Sequence, residues 1–132
     1  MSVVDFIIRG KQKHDEKIND YNSWAFPYGF KQKNIISNIL RELLPNENVQ
    51  IANYNYLICK QELAKGDGSK YKIDLDFMKI HELNKKFNFK NIDNLYRCIA
   101  LVEADSKIDE KLDYPSIVEL NNRAKQIKEI LD

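Results

Sequence analysis

The chain has 132 residues, 21 Lys and Arg against 20 Asp and Glu, and 43% hydrophobic residues, the profile of an ordinary globular domain rather than a disordered one. A formal charge of +1 argues against bulk nucleic-acid binding, which needs a clear basic excess. No stretch approaches the roughly 18 apolar residues of a membrane span, and two cysteines outside any CxxC pair set no disulfide framework, so a cytoplasmic location is expected.

The predicted elements follow from apolar spacing and punctuation. Ser2 followed three residues later by Asp5 is a carboxylate variant of the capping box, and Val4, Ile7, Ile8, Ile18 and Tyr21 mark one face of a first helix. Ile35, Ile36, Ile39, Leu40, Leu43 and Leu44 give the clearest amphipathic helix, and Pro45 stops it. A third helix begins near Asn46 to Asn48 and carries Val49, Ala52, Tyr56, Cys59 and Leu63; Gly66 and Gly68 suit its C-cap and turn.

Tyr71, Ile73, Leu75 and Phe77 then alternate like a strand, whereas Phe77, Ile80, Asn84 and Phe87 are spaced as a helix after Asp74 or Asp76. A lone strand has no partner and is unstable in water. The reading is therefore a helix with a short extended segment near 70–74. Ile92, Leu95, Ile99 and Val102 mark a fifth helix starting around Asn91 or Asp93, with a break near Asp105-Ser106. Tyr114-Pro115-Ser116 and a capping box from Ser116 to Glu119 open the last, whose face is Ile117, Leu120, Ala124, Ile127 and Leu131. The expectation is an all-α fold: one domain over 1–132, an antiparallel bundle of about six helices.

Charge is uneven along this bundle. Residues 1–44 carry seven basic and five acidic side chains, residues 45–90 eight and six, and residues 91–132 six and nine. The acidic excess at Asp105, Asp109, Glu110 and Asp113 reads as a solvated helix end. Lys11, Lys13, Lys31 and Lys33 leave a local basic face open. With 17 Lys to 4 Arg, 16 Ile and 14 Asn, the composition favours A/T-rich codons and points to a bacterial or phage origin.

Trp24-Ala25-Phe26-Pro27-Tyr28-Gly29-Phe30 puts four aromatics on one inter-helix connection. Aromatics anchor cores and interfaces alike, so this loop either plugs the bundle end or binds a partner. Trp24, Phe26, Tyr28 and Phe30 are the candidate partner-binding residues. Tyr54 joins them, because Tyr56 falls on the apolar face of its helix and Tyr54 does not.

Arg9-Gly10-Lys11-Gln12-Lys13-His14 reads as Arg, four residues, His. It resembles the Arg-x4-6-His motif of the HEPN-domain ribonucleases. The resemblance implies a small helical bundle, often dimeric, that cleaves RNA without metal, with Arg9 and His14 at the scissile phosphate. The chemistry pairs a titratable imidazole with a guanidinium that holds phosphate oxygens.

No metal or cofactor is expected. Two histidines and two separated cysteines make no zinc set, and the 66–70 loop lacks phosphate-loop spacing. Cys59 and Cys98 read as small buried hydrophobes. The expected function is that of a small helical protein that binds another macromolecule, most naturally a protein, as adaptors, inhibitors and immunity-type proteins do. A HEPN-like ribonuclease using Arg9 and His14 is the alternative.

Overall fold

The computed structural model describes residues 25–65, 72–73, 77–87 and 89–131. The expected first helix, Arg9, His14 and Trp24 lie outside them. Five helices pack together: α1 (Phe30–Leu43), α2 (Val49–Leu63), α3 (Phe77–Lys86), α4 (Asp93–Ser106) and α5 (Ile117–Leu131). The all-α bundle is as the sequence predicts.

Local chemistry sets the element ends. Asn48 caps α2, its Oδ1 accepting from the backbone N–H groups of Gln50 at 2.9 Å and Ile51 at 3.2 Å. Ser116 Oγ accepts from Glu119 N–H at 3.2 Å, so Ser116 caps α5 in the predicted place, through the serine half of the predicted box. Gly29 precedes α1 at φ 84° and ψ −156°, a conformation that a Cβ disfavours.

Between α2 and α3 the structure differs from the expectation. The extended residues Lys72–Ile73 (β2) do have a partner: they pair antiparallel with Ala64–Lys65 (β1), in the register Ala64 to Ile73 and Lys65 to Lys72. Residues leaving α2 directly supply the partner strand, a source that apolar alternation does not reveal. Accordingly α2 ends at Leu63, before the glycines, with Ala64 already extended.

Sequential long helices run antiparallel, as short connections require. Ser37 of α1 meets Asn53 of α2, and Asp93 of α4 meets Lys128 near the end of α5. The hairpin and α3 return the chain, so α4 lies parallel to α2. Glu47 bonds Asn94 at one end and Lys60 bonds Asp105 at the other.

One apolar core runs through the described helices. It includes Ile36 and Leu40 of α1, Tyr56 and Leu63 of α2, Ile80 and Leu83 of α3, Leu95, Ile99 and Leu101 of α4, and Leu120 and Ile127 of α5. Each such side chain contributes about 1.5–3 kcal/mol on burial. Cys59 and Cys98 are buried in this core as small apolar residues. Burial pushes both thiols up, that of Cys98 to about 12.

Candidate interaction surface

The loop over 25–29 splits its aromatics between inside and outside. Ala25 is fully buried, and Phe26 is 5% exposed and belongs to the core. Phe26 is therefore corrected from a partner contact to a packing residue. Tyr28 and Phe30 point the other way; Phe30 is 77% exposed.

The split is enforced by a buried polar cluster that sequence reading missed. Lys60 Nζ donates to the Ala25 carbonyl and to Asp105 Oδ2, with both ionic side chains almost wholly buried. The ammonium also lies 5.3 Å from the centroid of the Phe26 ring and 5.9 Å from that of Tyr56, within cation–π range. Gln32 Nε2 donates to Asp105 Oδ1 at 3.0 Å while its Oε1 accepts from the Tyr28 backbone N–H at 2.9 Å. Tyr114 Oη donates to Asp105 Oδ1 at 2.6 Å.

Asp105 is thus not part of a solvated acidic run, as its neighbours in sequence suggest, but the centre of this cluster. Burial pushes its carboxyl pKa up. The Lys60 charge and hydrogen bonds from Lys60, Tyr114 and Gln32 outweigh that and hold it below the usual carboxylate range. The chain of contacts from Asp105 through Gln32 and Lys60 to the loop backbone turns Phe26 inward and leaves Tyr28 and Phe30 in solvent.

The second predicted patch sits on α2. Tyr56 is fully buried and Tyr54 is 64% exposed, the arrangement their spacing implies. Tyr54 is not alone: Ile51 is exposed and Ile58 half-buried, completing an outer i, i+3, i+7 row. The inner face is apolar as well, with Ala52, Tyr56, Cys59 and Leu63 in the core. The outer row was legible in principle, as three apolar residues out of phase with the inner ones.

The two patches flank one seam. Asn53 Nδ2 donates to Ser37 Oγ at 3.2 Å across α1 and α2. Phe30 lies two helical turns before Ser37 and so on the same side of α1. In an antiparallel pair this puts Phe30 level with residues near 60, about 9 Å along the axis from Tyr54. Half-buried Leu57 lies between those levels. Lys33 Nζ stands 5.8 Å over the Phe30 ring. Lys31 and Arg41 are also exposed on α1, against the one exposed acid Glu42, so α1 is net cationic. Lys11 and Lys13 of the expected basic face lie outside the described residues.

Among the described residues no three His, Cys, Asp or Glu side chains converge as a metal site. No described helix is long and apolar enough to cross a membrane. No family model, curated protein or solved structure matches the chain.

Proposed function

We propose that the chain works by binding another protein across the α1–α2 seam, with Phe30 and Tyr54 as anchors and Tyr28 and Ile51 beside them. The observation that carries this reading is that α2 keeps a second apolar row, Ile51, Tyr54 and Ile58, outside the core and among polar residues. The bundle covers the inner face of α2, and a large aromatic left in solvent beside other apolar residues marks an interaction site. Exposed aromatics set in polar surroundings favour protein partners. Lys31, Lys33 and Arg41 favour a partner surface that is acidic around its apolar centre. Adaptor, inhibitor and immunity-type roles all use such a surface.

The test is affinity capture from the native host with wild type and with the double variant Phe30→Ser/Tyr54→Ser, both checked by circular dichroism. The reading expects one stoichiometric protein with wild type and its loss with the folded double variant. Equal capture by both would overturn it. So would RNA cleavage by the wild type that His14→Ala abolishes, since that outcome belongs to the ribonuclease alternative.

A further inference from the structure

A second feature lies away from the seam, between α4 and α5. There a groove of about 440 Å³ is lined by Asp93, Tyr96 and Arg97 from α4 and by Asn121, Ala124, Lys125 and Lys128 from α5, a volume in the range of small-molecule sites.

Arg97 is held in an unusual way. Its Nε donates to Asn121 Oδ1 at 3.1 Å and its Nη1 to Asn94 Oδ1 at 2.7 Å. Both acceptors are neutral amides, so the guanidinium is oriented without being neutralised. Arg123, on the same helix pair, shows the ordinary alternative: its Nε and Nη2 take both oxygens of Glu103 at 2.6 and 2.9 Å. Among the described residues no carboxylate stands within ion-pair distance of Arg97, and its Nη2 has no acceptor.

The remaining charges sharpen the contrast. Asp93 is engaged by Lys128 at 3.0 Å, which leaves the groove's single carboxylate matched. Lys125 has no ion-pair partner among the described residues. Two positive charges, one on a preoriented guanidinium and one on a flexible stem, therefore face the groove with no ion-pair partner among the described residues. A phosphomonoester carries about 1.5 to 2 negative charges near neutral pH and has oxygens enough to accept from the open Nη2 of Arg97 and from the Lys125 ammonium together. A single carboxylate offers fewer oxygens and one charge. The Tyr96 ring and the Ala124 methyl add an apolar wall against which an organic group can lie.

We infer that the α4–α5 groove binds a small phosphomonoester, with Arg97 and Lys125 holding the phosphate and Tyr96 flanking the group that bears it. This site is independent of the proposed protein-binding seam, and neither reading rests on the other.

The test is titration of the full chain with inorganic phosphate, adenosine monophosphate and adenosine, followed by amide NMR and repeated with Lys125→Gln and Arg97→Gln. The inference expects saturable binding of the phosphate-bearing probes, with shifts at residues 93–97 and 121–128 and none with adenosine. Tighter binding of the nucleotide than of phosphate supports the Tyr96 wall, and equal binding overturns the assignment to a phosphomonoester. Lys125→Gln, a change at an exposed side chain, is expected to weaken binding about tenfold. Because Arg97 also ties the two helices together, the Lys125→Gln result decides. Unchanged affinity in that variant, adenosine binding as well as the nucleotide, or no saturation by either phosphate probe would overturn the inference.

Discussion

An ammonium and a carboxylate taken out of water cost several kcal/mol each, and their attraction compensates when the geometry is good and the remaining lone pairs are satisfied. Lys60 and Asp105 meet that condition through the Ala25 carbonyl, Gln32 and Tyr114. Removing one partner strands the other, so Asp105→Ala and Lys60→Ala should each cost about 3–5 kcal/mol in urea unfolding. The double change Lys60→Met/Asp105→Leu should cost less than the sum of the two. Strict additivity would mean that the pair is not energetically coupled. The sign of the pH dependence follows from the depressed Asp105 carboxyl. Its contribution is complete above the unfolded-state value of about 3.9 and is lost as pH falls through the folded one. Thermal stability of the wild type should therefore fall more steeply below about pH 4 than that of Asp105→Asn. The buried thiols give a further check at this scale. Cys59 and Cys98, both pushed up by burial, should resist alkylation in the native protein and react once it is denatured. Rapid labelling of the folded chain would contradict their placement.

Within α2, the residues that fold the bundle are separate from those proposed to bind a partner. Tyr56 and Tyr54 are two residues apart, with one buried and the other exposed. Tyr56→Ala should cost about 3–5 kcal/mol, whereas Tyr54→Ser should leave stability within about 0.5 kcal/mol. Comparable losses in the two would show that Tyr54 is a packing residue. Elements with local signals were legible from sequence: the Ser116–Glu119 box, the Asn48 cap and the inner row of α2 each lie within a few residues of what they determine. Features made by distant residues were not. Lys60 and Asp105 stand 45 residues apart and Gln32 stands 73 from Asp105, so Asp105 reads as one more acid in an acidic stretch. The β1–β2 pairing was hidden because its first strand is the tail of a helix. For the same reason the 25–30 loop could be marked as aromatic but not divided into inward Phe26 and outward Tyr28 and Phe30.

In the whole molecule the near-neutral charge conceals separate arrangements. The acidic last third contains a groove where Arg97 and Lys125 have no ion-pair partner among the described residues, while Asp105 is internal and Glu103 pairs with Arg123. The buried cluster bonds the backbone of the loop that carries Tyr28 and leads into Phe30, through Gln32 and the Ala25 carbonyl. The exposed residues of the α1–α2 seam are proposed to contribute binding energy and little folding energy. Calorimetric titration of the captured protein partner into wild type and Tyr54→Ser separates the two. Affinity should fall about tenfold or more in Tyr54→Ser, with an unchanged unfolding midpoint. Equal affinity in the two folded proteins would contradict it.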